Sequence, residues 1–234
     1  MKKLHYFLLF SLFIVNSNQL SSQEVMSREK SMVNNNEFRR SYLSTGYEGM
    51  IFSSSIFERP GKASHLTTLR FTLFFHFGTM YNYNFNSNLG MMTGLSIKNI
   101  GFIDKYEAQD STVKRRVYSL NLPVALKLGR MDSKRFFFIG AEGSLALNYK
   151  EKGYVKRNHK TKFNEWFSDR TPLIMPNVFL GYQHKNAYLK LSYYPMNFLN
   201  PDFVDKNNVK PYQDYKVNLF AVTIGTNVVS RRFK

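Results

Sequence analysis

An alternation of apolar and polar residues over residues 118–128 constrains the fold more than any other feature of the sequence. Every second side chain there is large and apolar: Tyr118, Leu120, Leu122, Val124, Leu126 and Leu128. The residues between them are Ser119, Asn121, Pro123, Ala125 and Lys127. Successive side chains of a strand point to opposite faces of the sheet. The pattern therefore predicts one long strand with an apolar face and a face of small or polar groups.

Seven further segments show the same period and bring the number of predicted strands to eight. They lie near residues 46–57, 72–85, 90–103, 135–149, 173–184, 187–195 and 214–229. The last segment is apolar on both faces at its centre, so its pattern does not orient it. Short connections alternate with long ones along the chain, and residues 150–172 form one of the long ones. This alternation is typical of an up-and-down barrel with turns at one end and loops at the other.

Two kinds of barrel fit this pattern, and they differ in which face is apolar. A lipocalin-like barrel is apolar inside and faces water, whereas a membrane barrel is apolar outside and faces lipid. Strands of ten residues or more, and a second face rich in Gly, Ala, Ser and Asn, favour the membrane barrel. Aromatic residues at both ends of the apolar stripes, including Tyr118, Tyr149, Tyr83 and Tyr182, agree with two membrane interfaces. We therefore predict an all-β, eight-stranded antiparallel transmembrane barrel, with a soluble, exported lipocalin-like barrel as an alternative.

The N-terminal sequence predicts export. Lys2 and Lys3 precede an apolar run over residues 6–15, and small and polar residues follow, as in a cleaved secretory signal peptide. The expected organisation is a signal peptide at 1–22, a periplasmic N-terminal tether at 23–45 and an outer-membrane β-barrel at 46–234. Both termini of the barrel are expected in the periplasm and the long connections at the cell surface.

Composition excludes several functions. The chain has no cysteine, which excludes disulfides, thiolate metal sites, a lipidated cysteine and a cysteine nucleophile. The histidines are scattered without metal-ligand spacing, so no metal or other cofactor is expected. His65, His159 and Asp169 fall in long connections, where they are expected to be ordinary loop residues, and the chain is not expected to be an enzyme. The net charge of +17 indicates a mixture of solvated loop charge and attraction to outer-membrane lipid or anionic surface glycolipid as partners. No nucleic-acid motif occurs, so no nucleic acid is expected as a partner.

Pro123 is unusual in the middle of a predicted strand. It cannot donate a hydrogen bond to the neighbouring strand, and proline is usually confined to edges and bulges. The sequence therefore predicts a bulge or a water-filled gap at this position.

Three segments resemble a known family: GMMTGLSIKNIGFI (90–103), RRVYSLNLPVALKLG (115–129) and FFFIGAEGSLALNYK (136–150). They are similar to the small outer-membrane β-barrel proteins of Bacteroidota, the group that includes PorT-like proteins. The resemblance covers about residues 46–230 and implies the barrel fold. It also implies, less specifically, an accessory role in secretion or assembly.

Four charged residues fall on the polar face of the predicted strands, which places them in the lumen: Lys98, Lys127, Glu142 and Lys190. They could form a polar path or a ligand site, but an eight-stranded barrel is just wide enough for side chains to fill it, which favours a buried ion network. Lys127 and Glu142 share a hairpin but are about four residues, or about 13 Å, out of register. Glu142 is therefore expected to pair across the lumen, with Lys98 or Lys190.

The predicted loop at 150–172 is rich in basic and aromatic residues. Its candidate surface-binding residues are Lys152, Lys156, Arg157, Lys160 and Lys162. Such a loop is either a solvated surface segment or a binding site for an anionic glycolipid or a partner protein. The sequence thus predicts an integral, non-enzymatic outer-membrane barrel with a structural, surface-binding or accessory role, with a narrow pore for small solutes as the alternative.

Overall fold

The fold is known from a computed structural model that describes most of the chain. The described ranges are 40–73, 76–106, 110–155 and 159–232. The predicted signal peptide at 1–22 and the tether up to residue 39 lie outside them. Within the described ranges, no helix is long and apolar enough to cross a membrane.

Eleven β-strands lie within the described ranges. In chain order they are β1 (Ser41–Arg59), β2 (Lys62–Leu66), β3 (Arg70–Leu73), β4 (Phe77–Asn84), β5 (Leu89–Tyr106), β6 (Ser111–Arg130), β7 (Arg135–Val155), β8 (His159–Trp166), β9 (Ile174–His184), β10 (Ala187–Tyr194) and β11 (Lys216–Arg232). All eight predicted strands are present, although most of them are longer than the sequence pattern indicates.

The strands form one closed antiparallel barrel. β1 pairs with β11 from Tyr42 opposite Arg232 to Glu58 opposite Lys216, which closes the sheet. β3 and β4 both pair with β1 and together make the second strand of the barrel. The ring is completed in order by β5, β6, β7, β9 and β10, which gives eight strands. Closure leaves no open sheet edge, as the fold requires in hydrocarbon.

The two ends of the barrel differ. The turn end carries three short turns, at residues 85–88, 131–134 and 185–186, together with the first and last described residues. The loop end carries the longer connections, and there β2 pairs with β1 and β8 pairs with β7 outside the ring. β1 begins at Ser41, so residues 41–45, which the sequence places in the tether, are paired in the barrel.

The prediction of a surface loop over residues 150–172 is wrong for most of that segment. β7 continues to Val155 and β8 returns from His159 to Trp166, so the two strands form a β-hairpin above the barrel. The hairpin is stable as sheet because β6 also continues beyond the barrel and pairs with β7 as far as Ser111 opposite Val155. Of the described residues in this segment, 167–173 leave the sheet.

The outward and inward faces follow the predicted alternation. On β6, Leu122 and Leu126 are each 53% exposed, whereas Asn121 and Lys127 are fully buried. The same alternation orients β11: Phe220, Val222 and Ile224 are exposed, and Leu219, Ala221 and Thr223 are buried. The outward apolar band extends along β6 from Leu128 to Tyr118. That is about 33 Å along the strand, or about 25 Å at a typical barrel tilt, which matches a bilayer.

A β-bulge changes the faces of β7. Tyr118 pairs with Asn148 and Ser119 with Ala146, so Leu147 is an extra residue. Because the bulge shifts the alternation by one residue, Tyr149 points inward and is 1% exposed, although the sequence predicts it in the outer aromatic belt. Lys150 then faces outward.

No bulge occurs at Pro123, so the first of the two predicted outcomes is wrong, and the second, a water-filled gap, stays a prediction. Pro123 pairs with Glu142 of β7 in regular register. On the other side, the β5–β6 pairing stops at Thr93–Val124 and resumes at Ser96–Asn121 without a shift in register. The missing donor is thus accommodated by a two-residue interruption in the ladder.

Side chains fill the barrel in layers. At the turn end, an apolar cluster contains Met92, Ala125, Met131, Phe136, Phe138 and Phe179. At the loop end, a larger cluster joins inward residues such as Phe57, Phe102 and Tyr149 to Phe198, Leu199 and Tyr212. The last three come from the connection 195–215, which therefore folds back into the mouth of the barrel. Between the two apolar clusters lies a polar layer.

Candidate functional site

An ion pair occupies the middle of the lumen. Lys98 of β5 donates a hydrogen bond from its Nζ atom to Oε2 of Glu142 on β7, and both side chains are almost completely buried. Asn177 of β9 donates from Nδ2 to Oε1 of Glu142 at 3.0 Å. The carboxylate is thus held by one charged and one neutral donor across three strands. These hydrogen bonds offset the cost of burying the carboxylate.

Lys127 lies in a separate cluster near the turn end. Its Nζ atom donates to Oδ1 of Asn84 at 2.8 Å and to Oδ1 of Asn82 at 3.1 Å. The ammonium also lies 5.2 Å from the centre of the Tyr42 ring and 5.3 Å from that of Phe136. The Lys127 ammonium is therefore stabilised by two amide oxygens and two aromatic faces instead of a carboxylate. Lys127 and Glu142 do not meet, since Glu142 pairs with Pro123, four residues away on β6.

Lys190 is the third buried lysine of the predicted set. It is 6% exposed, and its Nζ atom lies 5.6 Å from the centre of the Phe179 ring. It lines an internal cavity of about 40 Å³ together with Ser96, Glu142 and Asn227. A cavity of this size holds at most a few water molecules. All four predicted lumen residues are thus inside the barrel, but the structure divides them among separate contacts.

A second buried ion pair lies at the loop end. The Nε atom of Arg115 donates to Oε2 of Glu151 at 3.0 Å, and the Tyr149 hydroxyl donates to the same oxygen at 2.6 Å. Burial, reinforced by the Glu151 carboxylate, raises the pKa of Tyr149 well above its usual value, so the hydroxyl stays protonated and remains a donor. Above this pair, Arg170 lies between the Phe163 and Phe203 rings, 4.4 Å from each centre.

Basic residues collect on the outward face just beyond the apolar band. Opposite residues of paired strands share a face, and Lys114, Lys152 and Lys162 form one row across β6, β7 and β8. Arg116 and Lys150 form the next row towards the membrane. We call these five residues the basic surface. Lys150 places its Nζ atom 4.9 Å from the centre of the Tyr118 ring, so it reaches back to the edge of the apolar band.

Carboxylates of the hairpin lie on its other face. Glu151 binds Arg115, and Glu165 contacts Ser168 and Arg170. Among the described residues, no ion pair joins a carboxylate to the basic surface. The β-hairpin thus separates the charges that are mixed along the sequence: acids face the barrel axis, and bases face outward.

The predicted loop residues are only partly covered by the structure. Lys152 and Lys162 lie directly opposite each other on β7 and β8. Lys160 pairs through its backbone with Tyr154, but its side chain is outside the description, and Lys156 and Arg157 lie outside the described residues. The basic surface therefore includes two of the five predicted residues and adds three that the prediction omits.

An apolar groove lies on the outer wall directly below the basic surface. It has a volume of about 260 Å³ and is lined mainly by Leu95, Leu120, Leu122, Gly143, Leu145 and Ile174. Gly143 forms its floor on β7, and a Cβ atom added there would meet nothing within 4 Å. Gly143 and Leu145 of the groove therefore lie on the same strand as Lys150 and Lys152, and all four residues face outward.

Sequence reasoning missed the asparagines of the lumen and part of the basic surface. Asn82 and Asn84 alternate with Tyr81 and Tyr83, so the period of two already indicated an inward position for them. On β9, Asn177 likewise alternates with outward apolar residues, which indicated an inward position for its side chain. Lys114 and Arg116 continue the alternation of β6 past Tyr118, but their outward position becomes meaningful only when β7 and β8 are paired beside them.

No metal site is evident in the described part of the chain, where no three His, Asp or Glu side chains come close enough to share an ion. His65 lies 3.4 Å from Asp104, which also binds Arg59. The absence of enzymatic activity stays a prediction.

A closed eight-stranded barrel with an apolar outer band and a filled, partly polar interior defines an integral membrane β-barrel. Residues 15–172, more than half of the chain, match the sequence model of the outer membrane protein beta-barrel domain. The chain belongs to this family, and its location is the bacterial outer membrane. The alternative of a soluble lipocalin-like barrel is therefore wrong, because the apolar face is the outer one.

Comparison with known proteins yields only distant likenesses beyond the family. Ail, the attachment invasion locus protein of Yersinia pestis, is 16% identical, with 81% of this chain and 99% of Ail covered and a TM-score of 0.35. Neisserial surface protein A is 12% identical, with coverage of 81% and 96% and a TM-score of 0.40. CarO of Acinetobacter baumannii is 10% identical, with coverage of 77% and 96% and a TM-score of 0.37. No curated protein matches the chain.

Proposed function

We propose that this outer-membrane barrel is a non-enzymatic surface-binding protein that holds anionic glycolipid on the basic surface. The observation that carries the proposal is the separation of charge on the β7–β8 hairpin. Lys114, Arg116, Lys150, Lys152 and Lys162 share one outward face, and the described carboxylates of the hairpin occupy the other. Rows of like charges repel each other across strands, so an arrangement of this kind is favourable when an anion binds to it.

The position of the basic surface supports a membrane-proximal ligand. The basic surface begins one row beyond Tyr118, where the apolar band ends. If the loop end of the barrel faces the cell surface, the basic surface lies at the level of the lipid headgroups. Export by the signal peptide at 1–22 and a periplasmic turn end are part of this proposal. The proposal also includes a closer relationship to PorT-like barrels of Bacteroidota and an accessory role in secretion or assembly. This relationship rests on the resemblance of the segments at 90–103, 115–129 and 136–150.

The filled interior argues against the narrow pore. Apolar clusters lie at both ends of the lumen, and the cavity that Glu142 and Lys190 line has a volume of only about 40 Å³. We expect no stepwise conductance when the purified barrel is inserted into planar bilayers. Reproducible single-channel steps would favour the pore instead.

Binding of a soluble polyanion tests the proposal directly. The purified barrel in detergent micelles is titrated with a sulfated oligosaccharide, with a neutral oligosaccharide of equal length as the reference. Changing Lys114, Arg116, Lys150 and Lys152 together to glutamine should weaken binding about tenfold, because four exposed charge contacts of about 0.35 kcal/mol each sum to about 1.4 kcal/mol. Higher salt should reduce the difference.

A matched control removes four basic residues elsewhere. Arg130, Lys185, Lys206 and Lys210 are exposed and lie away from the basic surface. Changing them to glutamine removes the same net charge and should leave the affinity within about twofold. Equal losses in both variants would show that net charge alone attracts the polyanion, and the proposal would fail.

A further inference from the structure

We propose that β7 carries a complete lipid site on the outer wall of the barrel, which takes one acyl chain in the apolar groove and the phosphates of the same lipid on the basic surface. The ligand class is an acylated saccharide with more than one phosphate, located in the same leaflet as the loop end of the barrel. This inference rests on the proposed function and goes further, since it names the ligand and adds the groove.

A glycine on β7 creates the groove. Gly143 is an outward position without a side chain, and larger side chains flank it on the neighbouring strands. Leu122 pairs with Gly143 on one side, and Ile174 pairs with Leu145 on the other. The volume of the groove and its apolar lining fit part of a single hydrocarbon chain.

One row of residues separates the groove from the basic surface. From Leu120 at the upper end of the groove to Arg116 is four residues, or about 13 Å along the strand. Lys150 shortens this gap, because its Nζ atom lies over the Tyr118 ring, one row nearer the groove than its own backbone. The outward Trp166 pairs with Asn148 in the row of Tyr118 and is 66% exposed. Aromatic side chains thus lie where an acyl chain would join its headgroup.

The amount and spacing of charge indicate the headgroup. Adjacent strands are about 4.8 Å apart and alternate rows about 6.7 Å apart, so five cations occupy an area of roughly 10 by 7 Å. A single phosphodiester would neutralise only a fraction of that charge. A saccharide that carries two phosphates matches both the charge and the extent of the surface, with Arg116 able to bind a phosphate through two donors.

A second groove on the outer wall provides an internal comparison. It has a similar volume, about 230 Å³, and is lined by residues including Ile139, Val178, Leu180, Leu191, Tyr193 and Phe220. No residue of the basic surface lies above it. The proposal therefore predicts a bound lipid at the Gly143 groove and not at the second one.

The experiment uses the full-length mature barrel in nanodiscs of neutral phospholipid that contain a bis-phosphorylated, acylated diglucosamine lipid. Lipid retained by the barrel is measured by native mass spectrometry, with the dephosphorylated lipid and a single-phosphate anionic phospholipid as competitors. The wild-type barrel should retain the bis-phosphorylated lipid at least tenfold better than either competitor. Equal retention of the dephosphorylated lipid would overturn the proposal. Equal retention of the single-phosphate phospholipid would overturn the claim that the headgroup carries more than one phosphate.

Filling the groove separates this inference from the proposed function. Gly143→Leu should reduce lipid retention about tenfold and leave the affinity for the soluble sulfated oligosaccharide unchanged. Leu191→Phe, which fills the second groove, should change neither. Leu122→Phe, at another outward position that lines the groove, serves as an independent filling variant if Gly143→Leu fails to fold. If filled barrels retain the lipid as well as wild type, the groove inference fails while the basic surface stands. If Lys150→Gln with Lys152→Gln affects neither ligand, the proposed function fails.

Discussion

Arg115 and Arg116 are adjacent in sequence and lie on opposite faces of β6, and their surroundings differ in kind. Arg115 points inward, is almost completely buried and binds Glu151 at 3.0 Å. Arg116 points outward in the basic surface, where the described ion pairs include no carboxylate partner. The same contrast extends to Lys98 and Lys127, whose ammonium groups have specific acceptors in the lumen. The proposed function assigns interior charge to stability of the fold and exterior charge to binding of a ligand.

The largest effect should come from breaking the central ion pair. Glu142→Leu leaves the Lys98 ammonium buried without its carboxylate, so we expect a loss of about 3–5 kcal/mol in the free energy of unfolding. Urea unfolding of the barrel in lipid vesicles measures it. The double variant Lys98→Met with Glu142→Leu should recover most of the loss, because an apolar pair of similar volume replaces the ion pair. A single variant as stable as wild type would show that the pair has no structural role.

Arg115→Gln and Arg116→Gln test the comparison on adjacent residues. The first should cost roughly 2–3 kcal/mol, because Glu151 loses its charged donor at a partly buried site, and it should leave polyanion affinity unchanged. The second should leave unfolding within about 0.5 kcal/mol of wild type and weaken the polyanion. Unfolding and titration are measured on both variants. If both variants lost stability and polyanion affinity to the same extent, inward and outward charges of β6 would not differ in role.

Lys127 should have a smaller effect than the ion pairs. Lys127→Met keeps the length of the side chain but removes the donor shared by Asn82 and Asn84, and we expect a loss of roughly 1–2 kcal/mol in urea unfolding. Gly90→Ala should disturb the same cluster, because its Cβ atom would lie 2.9 Å from Cε of Lys127 and 2.7 Å from Oδ1 of Asn84. Gly143→Ala is the matched control, with open space at its Cβ atom. Equal stability of the two alanine variants would show that the Lys127 cluster is loosely packed.

The period of two was enough to predict the barrel because burial of one face is a local property of each strand. It placed Lys98, Lys127, Glu142 and Lys190 on the inward face, where all four lie. It did not determine which partners they meet, since contacts across the lumen depend on register and on the diameter of the closed ring. Of the two partners expected for Glu142, the structure selects Lys98.

Two features could not be predicted from local pattern. The bulge at Leu147 reverses the faces of β7, which buries Tyr149 and turns Lys150 outward. The extension of β7 and β8 is polar, so it has the composition of a loop, and only pairing with β6 makes it a strand. The basic surface arises from both of these long-range effects, which explains why the sequence indicated its charge but not its geometry.

The smallest effect should come from reversing one charge on the basic surface. Lys152 lies between Lys114 and Lys162 on adjacent strands, and like charges directly opposite each other destabilise a sheet. Lys152→Glu should therefore stabilise the barrel by about 0.5 kcal/mol in urea unfolding while it weakens polyanion binding. The same change at Lys206, in the connection 195–215, should alter neither property. A gain in stability together with a loss of binding would show that repulsion within the basic surface is retained because the ligand relieves it, whereas a loss of stability would place Lys152 among the structural charges.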